Sequence, residues 1–131
     1  MPDTLEQLGM GQEKPIAKAP GKVRVDLVTP QFIEDVARVM GFGAGESQVK
    51  GKPGGRYKAH DWEKGIPLES VLAAGMRHIL KMQRGELIDP ESGLCHASHA
   101  AANMMMAHWM IMCTTSDAFS LVLPYHEGHP W

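Results

Sequence analysis

The residue types that could carry chemistry are concentrated between Arg77 and Asn103. Within this stretch lie three carboxylates, three histidines and an asparagine: Glu86, Asp89, Glu91, His78, His96, His99 and Asn103. Carboxylates and imidazoles bind divalent metal ions and transfer protons, so the stretch is a candidate metal or acid–base site. Taken singly, the acids could merely cap a helix and the histidines could hydrogen-bond across a helix contact. The density of the set favours a site.

The spacing of these residues predicts that a helix carries most of them. Asp89-Pro90-Glu91 is typical of a helix start, because Asp can cap, Pro suits the first helical position and an acid suits the first turn. Beyond it, His96, His99 and Asn103 recur at intervals of three and four, which places them on one helix face. An apolar stripe on the opposite face is predicted to be buried: Leu94, Ala97, Ala101, Met105 and Met112. Polar groups this dense beside such a stripe need mutual hydrogen bonds or a metal.

Helical periodicity predicts three main helices, near Pro30–Met40, Leu68–Arg84 and Pro90–Cys113. Thr and Pro open the first helix, and a run of glycines closes it. Gly85 stops the second helix, and the short link to Asp89 makes the third return antiparallel. The sequence therefore predicts an all-α fold, a small antiparallel helical bundle with extended arms.

At 131 residues the chain has room for one domain with a real core. Residues 1–20 mix Gly, Pro, Lys and Gln without periodicity and are predicted to form an extended arm. The helical domain is predicted at 21–113, with a breaker-rich loop insertion at 45–55 and a tail at 114–131. The tail contains a His-x-x-His pair, which is too isolated to predict a metal site.

Composition narrows the class of partner. The formal net charge is -2 and the hydrophobic fraction is 44%, which argues against a nucleic-acid or membrane-surface binder. The apolar run from Ala100 to Met112 is broken by Asn103 and His108 and is shorter than the roughly 20 residues of a membrane span. The first residues lack the pattern of a signal peptide. Cys95 and Cys113 would lie too far apart on one helix to pair, so we expect reduced thiols and a cytoplasmic location.

The methionines indicate an oligomer. The chain has ten Met residues, and Met104–Met112 holds several of them beside Trp109. Met fills adaptable interfaces, and this segment offers more apolar surface than a small monomer easily buries. We therefore expect a helix-packed homodimer or homotetramer.

A cluster of cationic and aromatic side chains follows the loop insertion, between Arg56 and Trp62. If it is exposed, Arg56, Tyr57 and Trp62 would charge-pair with and stack on a nucleotide. If it is buried, Trp62 would be a simple anchor of the core. The spacing alone leaves both interpretations open.

Five segments occur in order between Gly21 and about Met112: G-K-V-R-V-D-L-V-T-P, I-E-D-V-A-R-V-M-G-F-G-A, R-Y followed by D-W, R-H, and G-E-L-I-D-P-E-S-G-L-C-H-A-S-H-A-A-A-N. Together they resemble a phage-encoded family described as dATP/dGTP diphosphohydrolases, related to the MazG-like all-α nucleotide pyrophosphohydrolases. The resemblance implies hydrolysis of a purine deoxynucleoside triphosphate between the α- and β-phosphates, with Mg²⁺ or Mn²⁺. In phages that replace adenine with 2-aminoadenine, a MazG-like enzyme turns dGTP into dGMP, the precursor of the modified base. A phage-encoded chain would act in the host cytoplasm.

The resemblance also directs the choice of site residues. Mg²⁺ prefers oxygen ligands, which suits Glu34, Asp89 and Glu91, and Mn²⁺ also tolerates an imidazole such as His96. The same three acids are the candidate catalytic groups, together with two histidines. That set is Glu34, Asp89, Glu91, His78 and His99. The candidate substrate-binding residues supply cations for the phosphates, aromatic faces for the base and one amide: Lys22, Arg56, Arg77, Tyr57, Trp62 and Asn103.

Arg77 is the leading phosphate ligand, because it lies inside a helix and would be a buried charge without a partner. A structural ion pair with Glu34 or Glu91 is the alternative. The sequence departs from the MazG-like pattern of acids three residues apart on facing helices, since Glu86 and Asp89 straddle a loop. Two other functions stay open: a histidine-rich metal phosphohydrolase with a different cleavage point, and a non-enzymatic helical oligomer.

Overall fold

Three α-helices form the framework of the computed structural model, which describes residues 21–114. They are α1 (Pro30–Gly43), α2 (Leu68–Gln83) and α3 (His96–Thr114), with short 3-10 turns at Val25–Leu27 and Asp61–Lys64. The described residues contain no β-strand beyond one isolated bridge. The prediction of an all-α fold with three helices is confirmed. The predicted N-terminal arm and all but the first residue of the predicted tail lie outside the described residues.

Helix α1 begins where the sequence predicts, with Thr29 extended and Pro30 in the first turn. It runs past the predicted end at Met40 to Gly43. The extra turn is explained by Phe42, which is buried and anchors it to the core. The backbone N–H of Ala44 then closes the helix on the carbonyl of Met40.

Helices α2 and α3 pack against each other along most of their length. They run antiparallel, because Gly75 lies beside Asn103 and Met104 while His78, further along α2, contacts His96 at the start of α3. A Cβ atom at Gly75 would lie 3.0 Å from Cε of Met104. Glycine at this position therefore lets the two backbones come close enough for their polar side chains to meet.

The predicted start of the third helix at Pro90 is wrong, since α3 begins at His96. Asp89 does use its side chain on the backbone, but to close a turn: its Oδ1 accepts a hydrogen bond from the N–H of Glu91 at 3.0 Å. The carbonyl of Asp89 also accepts from the N–H of Gly93 at 2.7 Å. Gly93 has a φ of 75°, which no right-handed helix contains, so the chain turns here instead.

The predicted buried stripe on α3 is also wrong in part. Of its five members only Met112 is buried, and Ala97 is exposed. The polar face is the one turned inward, with His96 and His99 buried together with Asn103. The reason is non-local, because α2 covers this face and offers His78 to it.

The small core lies where α3 meets the second 3-10 turn and α2. It is built from Trp62, Val71, Met106 and Ala107. The Trp62 ring meets the Trp109 ring edge to face, with centroids 5.2 Å apart. Trp62 is 4% exposed, which favours the anchor interpretation.

Much of the methionine-rich segment is used inside the chain. Met106 and Met112 are buried, and Trp109 packs on Trp62. Helix α2 exposes a stripe of apolar side chains along its length: Leu68, Leu72, Met76, Ile79 and Leu80. No helix within residues 21–114 is long and apolar enough to cross a bilayer.

The loop insertion at 45–55 is docked onto the rest of the chain. The N–H of Gly55 donates to the carbonyl of Phe42 at 2.8 Å. The ammonium of Lys52 donates to the carbonyl of Pro90 at 2.7 Å, and Val49 lies against Gly93. The loop therefore sits over the Asp89–Ser92 turn and brings Arg56 to it.

Candidate functional site

A polar cleft of about 210 Å³ opens beside the α2–α3 contact. Seven of the predicted site residues line it: Arg56, Tyr57, His78, Asp89, Glu91, His99 and Asn103. They come from four separate parts of the chain, namely the end of the loop insertion, α2, the turn before α3, and α3 itself. The structure thus brings together most of the set that the sequence singled out.

The first hydrogen-bond network joins the α2–α3 loop to both helices. Nε2 of His96 lies 2.8 Å from Oε2 of Glu86, and Nδ1 of His96 lies 2.8 Å from Nδ1 of His78. The ammonium of Lys81 stands 3.6 Å from the same carboxylate oxygen of Glu86. His96 is completely buried, and both of its ring nitrogens have partners.

The second network centres on the turn that precedes α3. Oγ of Ser92 lies 2.6 Å from Nε2 of His99 and 3.3 Å from Oδ2 of Asp89. The same Asp89 oxygen is 3.3 Å from Nε2 of His99. The side-chain amide of Asn103 donates to the carbonyl of His99 at 2.9 Å. Ser92, Asp89, His99 and Asn103 are thus joined through hydrogen bonds, as is usual for buried polar side chains.

Ser92, His99 and Asp89 do not form a nucleophilic triad. A triad needs the acid on the ring nitrogen opposite the serine, so that it orients the imidazole. Here Asp89 and Ser92 both meet Nε2 of His99. Ser92 is also fully buried, so its hydroxyl supports the turn.

The rings of His78 and His99 stack, with centroids 4.5 Å apart and planes inclined by 11°. Burial, together with the neighbouring His99 and His96, lowers the pKa of His78 from 6.5 to about 4. Burial likewise lowers the pKa of His99, against the opposing effect of the Asp89 charge. Both rings are therefore neutral at neutral pH and can accept hydrogen bonds or bind a metal.

The two carboxylates of the α2–α3 loop that meet histidines are held in their charged forms. Burial acts to raise the pKa of Asp89, but the N–H of Glu91, the nearby His99 and the Ser92 hydroxyl outweigh it and keep that pKa below its usual value. The hydrogen bond with His96 is the main cause of the lowered pKa of Glu86. Both groups are thus anionic acceptors at neutral pH.

The mouth of the cleft carries an exposed ion pair between Arg56 and Glu91. Lys52 lies beside it through its bond to Pro90. An exposed pair of this kind contributes little to the stability of the fold. Its guanidinium and carboxylate can therefore separate and bind other groups at little cost in free energy.

Five of the predicted site residues do not line this cleft. His96 is buried in the α2–α3 contact, Trp62 lines a second cavity, and the other three lie further away. Glu34 is exposed, pairs with Arg38 at 3.3 Å and lines a different cavity. Lys22 is exposed near the start of the described residues. The expectation that Arg77 is buried is wrong, because its side chain points to solvent and makes no ion pair within residues 21–114.

The donor set of the cleft fits a metal that is shared with a substrate. Among residues 21–114 no three His, Cys, Asp or Glu side chains converge as a preformed metal cage. Asp89 and Glu91 both line the cleft, and Mg²⁺ is commonly held by one or two carboxylates together with substrate phosphates. His96 could join only by giving up one of its two hydrogen bonds.

A second, apolar cavity of about 620 Å³ adjoins the polar cleft. Phe32, Ile33 and Trp62 contribute to its wall. Met40 and Tyr57 line both cavities and so form the partition between them. A side chain at Gly43 would collide with the hydroxyl of Tyr57, so this glycine leaves the room in which the ring sits.

Sequence reasoning gave no site role to three residues that the structure places in or beside the site, although it named Glu86 within the candidate stretch. Glu86 holds His96, Ser92 bonds to His99, and Lys52 stands at the mouth. Ser92 had a signal, because it lies within hydrogen-bonding reach of an aspartate turn. Lys52 had none, since only the folded loop brings it to Pro90.

Comparison with known proteins gives one family and one relative. A family model described as dATP/dGTP diphosphohydrolase, N-terminal, matches residues 12–118. A dATP/dGTP diphosphohydrolase of Salmonella phage PMBT28 is 34% identical over 91 residues, which are 70% of this chain. The chain spans only about 28% of that relative's length. No solved structure matches the chain.

The lowered pKa of His78 predicts how stability depends on pH. The unfolded chain binds a proton at this histidine near pH 6.5, whereas the folded chain binds it only near pH 4. Protonation therefore favours the unfolded chain between these two values, and the free energy of unfolding falls as the pH drops from 6.5 to about 4. We expect the urea midpoint to decline across this range. His78→Asn should flatten the decline, whereas the same change at the exposed His108 should not. An identical decline in all three proteins would contradict the assignment.

Proposed function

Because the chain belongs to the dATP/dGTP diphosphohydrolase N-terminal family, we propose that it carries the catalytic site of a metal-dependent hydrolase for dGTP or dATP. The products are the deoxynucleoside monophosphate and pyrophosphate. The named activity of the phage relative supports this substrate class. In a phage that uses 2-aminoadenine, release of dGMP would supply the precursor of the modified base.

The proposal rests on the apolar cavity and the polar cleft lying side by side, separated by Met40 and Tyr57. A nucleoside triphosphate has an apolar aromatic base at one end and about four negative charges at the other. The apolar cavity of about 620 Å³ is of ordinary size for a small-molecule site. This cavity adjoins the polar cleft at Tyr57, so one ligand can occupy both.

The base is proposed to lie in the apolar cavity against Tyr57, whose ring can offer a face to it. Trp62 contributes to the wall of the same cavity while its ring anchors the core. Asn103 lines the polar cleft and can bond to the sugar or the first phosphate. Lys22 stays a proposed ligand on the strength of the family resemblance.

The phosphates are proposed to lie at the mouth of the polar cleft, where Arg56 meets Glu91. A phosphate attracts the guanidinium more strongly than one exposed carboxylate does, because it offers several anionic oxygens. Arg56 would then turn to the substrate and free Glu91 for a metal. Lys52 would stand beside it as a second cation.

Asp89 and Glu91 are the proposed ligands of Mg²⁺ or Mn²⁺. Asp89 is buried and charged, so it is a fixed donor, whereas Glu91 is exposed and can adjust. The metal would neutralise phosphate charge and lower the pKa of a bound water. Glu34 and His96 stay proposed ligands, but one lines a separate cavity and the other has both nitrogens engaged.

The chain's own contribution to the reaction is to place a water against the α-phosphorus. The neutral rings of His78 and His99 line the cleft and can accept a hydrogen bond from that water. The oxygen of the water forms a bond to phosphorus while the bond to the bridging oxygen breaks. The imidazole that accepts the hydrogen bond takes the proton that the water loses, and pyrophosphate leaves with the electron pair.

Product analysis tests the reaction. The chain is incubated with each deoxynucleoside triphosphate and Mg²⁺ or Mn²⁺, and the products are separated by chromatography. Monophosphate and pyrophosphate support the proposal. Nucleoside with tripolyphosphate would instead indicate a different cleavage point, and no turnover would favour a helical oligomer without activity.

Asp89→Asn tests the proposed metal ligand. The amide oxygen of Asn can still accept from the Glu91 N–H, so the turn and the melting temperature should be preserved. Loss of the charge should lower kcat/KM by roughly 100-fold or more. Asp35→Asn on the surface of α1 is the matched control. Full activity of Asp89→Asn would mean that Asp89 only closes the turn.

The two arginines proposed for the phosphates can be compared directly. Arg56→Ala should raise KM for the triphosphate about tenfold, because a cation at the cleft mouth is lost. Arg77→Ala should have a smaller effect, since this side chain lies outside the cleft. The reverse order would move the phosphate site to the outer surface of α2.

We also propose that the exposed apolar stripe of α2, which includes Leu72 and Met76, forms a contact between subunits. A charge there would be buried between two chains at high cost. Leu72→Glu should therefore convert a multiple of the 14.4 kDa chain mass into monomer by light scattering. Leu87→Glu changes an exposed leucine off the stripe and should leave the mass unchanged. A wild-type monomer at micromolar concentration would contradict the contact.

A further inference from the structure

A chain of hydrogen bonds joins Glu86 to His96 and His96 to His78. The proposed reaction gives Glu86 and His96 no role as a pair. Glu86 meets Nε2 of His96, and Nδ1 of His96 meets Nδ1 of His78. Each contact measures 2.8 Å between heavy atoms, which is normal for a hydrogen bond. The proton positions along this line follow from simple donor and acceptor rules.

The line begins at an ionised carboxylate, which can only accept. Glu86 is exposed, and an exposed glutamate is ionised at neutral pH and carries no proton to donate. Nε2 of His96 must therefore carry the proton of that contact. In a neutral His96 the other nitrogen, Nδ1, is then an acceptor. Nδ1 of His78 must in turn be the donor.

The carboxylate of Glu86 is shared between two partners. Lys81 stands 3.6 Å from the same Glu86 oxygen, so the carboxylate already has a cation beside it. A second positive charge on a ring that is fully buried would leave a net charge next to two further imidazoles. Removing such a charge from water is costly.

We infer that Glu86 and His96 are positioning residues that hold His78 with its proton on Nδ1. Nε2 of His78 is then the unprotonated nitrogen of a side chain that lines the polar cleft. It makes no hydrogen bond within residues 21–114. This nitrogen accepts a hydrogen bond from the attacking water. That last assignment rests on the proposed hydrolase function, whereas the tautomer does not.

The stacking of His78 on His99 fits this role. Rings inclined by 11° restrain each other's rotation, so the tautomer and the direction of Nε2 are held together. His99 is fixed from its other side by Ser92 at 2.6 Å. The two networks of the site thus meet at the face between these two rings.

The inference is tested first by nitrogen NMR of the whole chain labelled at histidine. Long-range proton–nitrogen spectra reveal which ring nitrogen carries hydrogen. At neutral pH we expect His78 to be protonated on Nδ1 and His96 on Nε2. A His78 protonated on Nε2, or a His96 protonated on both nitrogens, overturns the inference whatever the activity is.

Substitution of Glu86 then separates positioning from simple structural support. Glu86→Ala removes the acceptor that keeps the proton of His96 on Nε2. His96 should then lose its preference for that tautomer, and His78 should become a mixture of tautomers. Glu86→Gln keeps an oxygen acceptor and should restore the wild-type spectrum. Glu86 is exposed, so neither change should prevent folding. Glu69→Ala, an exposed glutamate in the first turn of α2, is the matched control.

Turnover completes the test. Loss of the tautomer in Glu86→Ala should lower kcat about tenfold or more with little change in KM, and Glu86→Gln should recover most of it. If Glu86→Ala leaves the His78 tautomer unchanged, the positioning role is wrong. If the tautomer shifts but kcat does not, His78 holds no reacting water, although the line of hydrogen bonds exists. If the wild-type chain shows no turnover, the spectra still decide the tautomer and only the hydrolase proposal fails.

Discussion

The constraint on which the structure depends is that the polar face of α3 is buried. A helix that turns histidines and an asparagine inward must provide hydrogen-bond partners for the polar atoms that it buries, because an unpaired buried polar atom costs free energy. The chain meets this demand from outside the helix, with His78 from α2, Glu86 and Asp89 from the α2–α3 loop, and Ser92 from the turn. The positions of α2, the loop and the turn are therefore tied to one another through side chains.

This arrangement explains why the same residues serve the fold and the proposed site. A buried polar network is held rigidly when it is complete, and rigid groups are what a reaction requires. The charged groups at the mouth are different in kind. The side chains of Arg56 and Glu91 are exposed and, within residues 21–114, pair with each other, so they can rearrange around a ligand. The interior of the cleft is fixed, and its entrance is adjustable.

The sequence was sufficient for the fold class and for the grouping of most site residues. Helical periodicity and the glycines that end α1 and α2 are local signals, and they placed these two helices and the end of α3 within a few residues, but not the start of α3. The intervals between His96, His99 and Asn103 also placed these residues on one face. The sequence also predicts that this face lies opposite the buried one, whereas the structure buries it.

The errors share one cause, which is that they depend on what packs against a segment. Asp89-Pro90 suits a helix start and a tight turn equally well, and only Gly93 selects the turn. The inward face of α3 depends on α2 and on the close approach at Gly75. Whether Arg77 is buried depends on which side of α2 faces α3. Oligomerisation and the choice of metal ligands also depend on contacts beyond such local patterns, and both stay predictions.

The edge-to-face pair of Trp62 and Trp109 gives the molecule a built-in optical reporter. The chain has three tryptophans, and Trp62 alone among those in the described residues lines the apolar cavity. Its indole is shielded from water and coupled to a second indole at 5.2 Å, so its emission is sensitive to any aromatic ring that enters the cavity. Occupancy of that cavity can thus be followed by intrinsic fluorescence, without a label and without turnover.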